Sequence, residues 1–100
     1  MYGLISRMTA RAGQRDALTA ILLERVALGM PGCLGYVVAH DTADEDGIRV
    51  TEVWISENAH RDALAVPETK AVLQQALPLI ATFEDATVTT PVGGLGLAVA

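Results

Sequence analysis

Between two β-branched runs of this 100-residue sequence stands Asp46-Gly47, closing the polar stretch Thr42-Ala43-Asp44-Glu45-Asp46-Gly47. Asp-Gly before a β-branched run is a strong hairpin signal, so residues 33–41 and 48–55 are expected to pair as antiparallel strands. The second run alternates cleanly. Ile48, Val50, Glu52 and Trp54 fall on one face, and Arg49, Thr51, Val53 and Ile55 on the other.

A helix and a strand flank this hairpin on each side. Residues 14–29 repeat apolar positions at three-and-four spacing (Leu18, Ile21, Leu22, Val26, Gly29), with Gln14, Arg15, Thr19 and Glu24 elsewhere. Asp16 suits the positive end of the helix dipole, and Pro31-Gly32 ends the helix. Residues 2–11 precede it as a strand with apolar members in both alternating sets: Tyr2, Leu4, Met8 and Ala10 in one, Ile5 in the other. That is the pattern of a strand covered on both faces. Beyond the hairpin, Ser56 is an N-cap, Pro67 opens a further helical stretch over 67–80, and Pro78 bends or ends it. Residues 82–90, with Thr87, Val88, Thr89 and Thr90, read as a last strand.

The order β-α-β-β-α-β predicts a ferredoxin-like α+β fold, a four-stranded antiparallel sheet with the helices on one face. The domain spans residues 1–90. The Gly-rich tail 91–100 is expected to lie on a partner or to fray. With 51% hydrophobic residues in so short a chain, one core cannot absorb them all, and the bare sheet face calls for a second copy. A homodimer is the expected state.

The formal charge of −5 and seven scattered basic residues argue against nucleic acid. Cys33 is the sole cysteine, so no internal disulfide forms. No stretch reaches the ~18 apolar residues of a membrane span, and no leader pattern opens the chain. A cytoplasmic, membrane-free protein is expected. No Cys/His cluster has zinc spacing, Gly93-Gly94-Leu95-Gly96 lacks the lysine of a phosphate loop, and no Gly-x-Ser-x-Gly elbow occurs.

Several segments together resemble the antibiotic biosynthesis monooxygenase family. Pro31-Gly32-Cys33-Leu34-Gly35-Tyr36 looks like its helix-exit motif, and Glu52-Val53-Trp54-Ile55-Ser56 like its Glu-x-Trp-x-Ser pattern. Ala59 and Pro67 stand at its usual distances beyond the tryptophan, and Arg11-Ala12-Gly13-Gln14 matches its lead-in to the first helix. The resemblance covers about residues 2–90. It implies a dimeric α+β barrel with a pocket between sheet and helices, and oxygenation of polyketide-type or quinol aromatics by molecular oxygen without metal, flavin or haem. The fold also hosts isomerases, dehydratases and haem-degrading proteins. One departure stands out: many quinol-oxidising relatives carry histidine nine residues after the tryptophan, where this chain has Ala63. His60 lies one helical turn earlier on nearly the same face, where some relatives have tyrosine.

The candidate catalytic residues are His60, to take a phenolic proton, and Trp54, to stack a flat substrate. An exposed helix histidine and a core tryptophan are the plainer readings. Glu52, Tyr36 and His40 are candidate substrate-binding residues. Glu52 shares the Trp54 face, where a buried acid needs a partner; Arg7 or Arg49 is expected to supply it. Tyr36 and His40 share one face of their strand. No metal ligand and no cofactor are expected, with haem on His40 or His60 the exception the fold permits. The rival functions are a non-catalytic dimeric binder of a small hydrophobic ligand, or an isomerase or decarboxylase. His60→Ala is expected to cost little stability.

Overall fold

A computed structural model describes residues 1–97 of the chain. It contains β1 (Tyr2–Ala10), α1 (Arg15–Leu28), β2 (Cys33–His40), β3 (Gly47–Trp54), α2 (Glu57–Ala65), α3 (Pro67–Ala76), a 3₁₀ turn (Leu77–Leu79) and β4 (Ile80–Thr89). The strands form one antiparallel sheet in the order β2-β3-β1-β4, the ferredoxin-like arrangement. None of the described helices is long and apolar enough to cross a membrane.

The two-residue period of the strands decides what each face carries. Met8 and Ala10 of β1 and Ile48 and Val50 of β3 point to the helices, where Leu18, Leu22 and Ala76 close the core. On the outer face Ile5, Val37, Thr51 and Thr87 are exposed. In the single chain, then, the outer face of β1 is open at Ile5, while Gly3 on that face is buried.

Local chemistry sets the helix ends. Ser56 is the N-cap of α2, its Oγ accepting the Ala59 N–H at 3.1 Å, and Pro67 opens α3. Pro78 falls in the 3₁₀ turn that ends α3 early. The fourth strand begins at Ile80, two residues sooner than its β-branched run suggests. There Arg11 N–H donates to Leu79 O at 2.8 Å and Arg11 Nε–H to Pro78 O at 2.8 Å, drawing the chain into the sheet beside Ala10.

One helical stripe departs from expectation. Val26 and Gly29 are exposed, and Arg25 takes the buried place on α1 beside Leu18 and Leu22. The tail also differs. Pro91 and Leu97 rest against the outer face of their own sheet, where Gly3, Val53 and Gly35 form one cross-strand row, while Val92 and Leu95 between them are exposed. A methyl group at Gly3 would come within 2.9 Å of Pro91, and one at Gly35 within 3.7 Å of Leu97. Residues 98–100 of the tail lie outside the described residues.

Candidate active site

Glu52 and Trp54 point to the helix side from the last turns of β3, with Glu52 6% and Trp54 0% exposed. The indole N–H of Trp54 donates to Glu52 Oε1 at 3.1 Å. The first turn of α2 brings His60 over this pair, with its Nε2 3.9 Å from the same carboxylate oxygen. The imidazole lies 5.3 Å from the Trp54 ring, edge-on, and 5.4 Å from the Tyr2 ring. Tyr2 is the cross-strand partner of Trp54, which explains its presence. His60, Trp54 and Glu52 thus come together. Trp54 has no exposed surface, so it stands as the wall behind His60 rather than as an open stacking platform.

Tyr36 is the cross-strand partner of Glu52 and joins the same face. Arg25 donates from Nη1 to the Tyr36 hydroxyl at 3.4 Å, with its guanidinium carbon 5.3 Å from the ring centroid. Burial pushes the Tyr36 phenol above its ordinary range, Arg25 pulls it back, and Glu52 adds to the rise. Cys33 is pushed up for the same leading reason, burial, while its Sγ–H donates to Gly35 O at 3.3 Å.

His40 does not join this cluster. It follows Tyr36 by four residues on the same strand, roughly 13 Å away at the rise of an extended chain. There it is exposed and hydrogen-bonds Thr19 Oγ1 through Nε2 at 2.8 Å. The expected pairing of Glu52 with Arg7 or Arg49 is not made either. Odd-numbered residues of β1 and β3 face outward, where Arg7 meets Asp44 at 3.0 Å and also pairs with Glu84, while Arg49 meets Asp41 at 3.5 Å. Trp54 and His60 are the groups that accompany Glu52 instead. Among the described residues no group of three His, Cys, Asp or Glu could hold a metal ion.

Tyr2 and Arg25 are the site residues that sequence reasoning passed over. Arg25 stands three residues after Leu22 and seven after Leu18, so the helical period had marked it. Its charge hid it. Arg25 also lines a cleft of about 220 Å³ between the end of α1, the loop Gly29–Met30–Pro31 and the α2–α3 junction. Ala63 opens onto this cleft with Val66.

The sequence model of the antibiotic biosynthesis monooxygenase family matches residues 1–75. A Chloroflexus aurantiacus J-10-fl protein assigned to those enzymes is 49% identical over 97% of this chain and 98% of its own, with a TM-score of 0.92. SnoaB from Streptomyces nogalater, a cofactor-independent oxygenase, is 20% identical over 94% of this chain and 95% of its own, with a TM-score of 0.79. Rv0793 from Mycobacterium tuberculosis is 21% identical over 94% and 97%, with a TM-score of 0.78. At such identities the last two bear on the fold alone. No curated protein gives a match. With three-quarters of its length under the family model and a near relative across almost all of it, the chain belongs to the antibiotic biosynthesis monooxygenase family.

Proposed function

We propose that the protein is a cofactor-independent monooxygenase of phenolic or quinol-like aromatics, working as a homodimer. The observation that carries this reading is the enclosed His60, its Nε2 turned to the Glu52 carboxylate at 3.9 Å. A carboxylate on one side of an imidazole favours the N–H tautomer on that side and stabilises the imidazolium that forms on protonation. Nδ1 is then the nitrogen that takes the proton of a phenol. The phenolate so formed is electron-rich enough to pass an electron to molecular oxygen, and the resulting pair joins as a carbon–oxygen bond. Breaking the O–O bond with loss of the ring hydrogen leaves a quinone and one water. One oxygen atom enters the ring, the other leaves as water with the phenolic and ring hydrogens, and all four electrons come from the substrate. No outside reductant is needed. Membership of the antibiotic biosynthesis monooxygenase family supports the same chemistry.

The test is oxygen uptake with simple and polycyclic phenols and quinols, with mass spectrometry of the product. Oxygen consumed in equal amount to quinone, in protein free of metal and flavin, is expected. Ligand binding with no uptake favours the non-catalytic binder instead.

A further inference from the structure

Arg25 is 6% exposed, and its Nε and Nη2 have no hydrogen-bond partner among the described residues. Of the guanidinium's five N–H donors, only Nη1 is engaged, to Tyr36. A buried charge left this way is unfavourable unless a counter-group meets it. The unpaired atoms are the side-on edge of the fork, the edge that takes a carboxylate through two parallel hydrogen bonds.

The surroundings fit such an occupant. Leu28, Met30, Pro31, Ala63 and Val66 give the cleft an apolar lining, and its volume of about 220 Å³ can be compared with the ~150 Å³ cavity that holds benzene. An aromatic ring with one carboxylate is thus the right scale. The first turn of α3 reaches the same cleft through Glu68 and Thr69. Its first intrahelical bond is Lys70 N–H to Val66 O at 3.0 Å, and the Val66 cap has no side-chain hydrogen bond to this turn. The amides of Glu68 and Thr69 therefore precede the ladder and carry the positive end of the helix dipole. Glu68 itself is exposed at the rim and makes no ion pair with Arg25, while Glu52 and Tyr36 lie on the sheet behind it.

We propose that this cleft binds an apolar aromatic carboxylate, its two oxygens held on the Nε–Nη2 edge of Arg25 and its ring against Met30, Pro31 and Val66. The proposal concerns binding alone and stands whether or not the ligand is then oxygenated.

Benzoate and its neutral isostere benzamide are the probes, followed by ¹H–¹⁵N NMR titration of the whole chain, with no turnover required. Benzoate is expected to bind at least ~10-fold more tightly than benzamide and to move the Arg25 Nε–H signal and the Glu68 and Thr69 amides. Arg25→Met should bring the two affinities together. Val66→Phe fills the cleft without touching the charge and should weaken both ligands ~10-fold or more, an arm that does not depend on how Arg25→Met folds. Equal affinity of wild type for benzoate and benzamide overturns the proposal. So does a benzoate preference that survives in Arg25→Met, or benzoate affinity unchanged in Val66→Phe.

Discussion

His60 Nε2 lies 3.9 Å from Glu52 Oε1, the oxygen that also accepts the Trp54 indole N–H at 3.1 Å. One carboxylate oxygen on β3 therefore stands beside both an aromatic two residues further on and a histidine on a helix. The short Ser56 cap makes this possible, because it starts α2 immediately after the strand and places His60 at the end of the first turn.

From that arrangement, His60→Ala should lower turnover of a phenolic substrate by ~10²-fold or more, the usual share of general base catalysis. Glu52→Gln should lower it too, by removing the charge that stabilises the imidazolium while keeping an acceptor for Trp54. Where the sequence suggests little change, the structure predicts that stability should also fall in His60→Ala. The imidazole is packed between Tyr2 and Trp54, and losing two such aromatic contacts costs about 1–3 kcal/mol. Steady-state rates together with thermal melts check both statements. Unchanged turnover in His60→Ala removes the base assignment.

Alkali should destabilise the fold through Tyr36 and Cys33. Both acids are held above their ordinary values of 10.0 and 9.0, chiefly by burial. Once the unfolded chain begins to lose these protons the native state binds more of them, so stability falls as pH rises. The loss should begin near pH 9, grow through pH 10 and level off above the folded values. Tyr36→Phe should flatten the upper part of that decline and leave the Cys33 part. Melting temperatures from pH 7 to 11 give the answer, and a flat profile in the parent protein counts against buried titrating groups here.

Much of this site was legible in the residues because it rests on local rules. The alternation after Asp46-Gly47 put Glu52 and Trp54 on one face, and the Ser56 cap fixed the turn that carries His60. What escaped needed relations between distant segments. Tyr2 enters only through its register with Trp54. Arg25 was passed over because a charge on an apolar stripe is ordinarily turned to solvent, whereas here Tyr36 receives it. His40 shares the Tyr36 face, but face alone does not say how far along the strand a site extends.

The outer sheet face should be the dimer interface. Val37, Thr51, Ile5 and Thr87 form one cross-strand row, with Ile5 45% and Val37 58% exposed. Light scattering at micromolar concentration should give about twice the 10.5 kDa chain mass. Ile5→Lys puts a charge at the centre of that row and should weaken association at least ~30-fold, as loss of a central anchor worth about 2 kcal/mol would. A monomeric parent protein rules out the barrel.

Gly32→Ala probes how tightly the β2 approach clamps the helix that carries His60. Gly32 sits at φ 82°, and a methyl group there would come within 2.8 Å of the Ala59 Cβ and 3.2 Å of Ile55 Cγ1. Its carbonyl accepts the Ile55 N–H at 2.8 Å, so the loop cannot simply swing away from the end of β3. Left-handed backbone costs alanine about 1–2 kcal/mol and overpacking about 1–3, giving a destabilisation of about 2–5 kcal/mol. Because Ala59 precedes His60, relief of the clash must push α2 outward and carry the imidazole off Glu52. Turnover should therefore fall with stability. Gly13→Ala is the control, since Gly13 has φ 76° and open space around it. It should show the backbone cost alone, about 1–2 kcal/mol, with turnover intact. If both variants lose the same stability, the Ala59 contact is not what holds α2 in place.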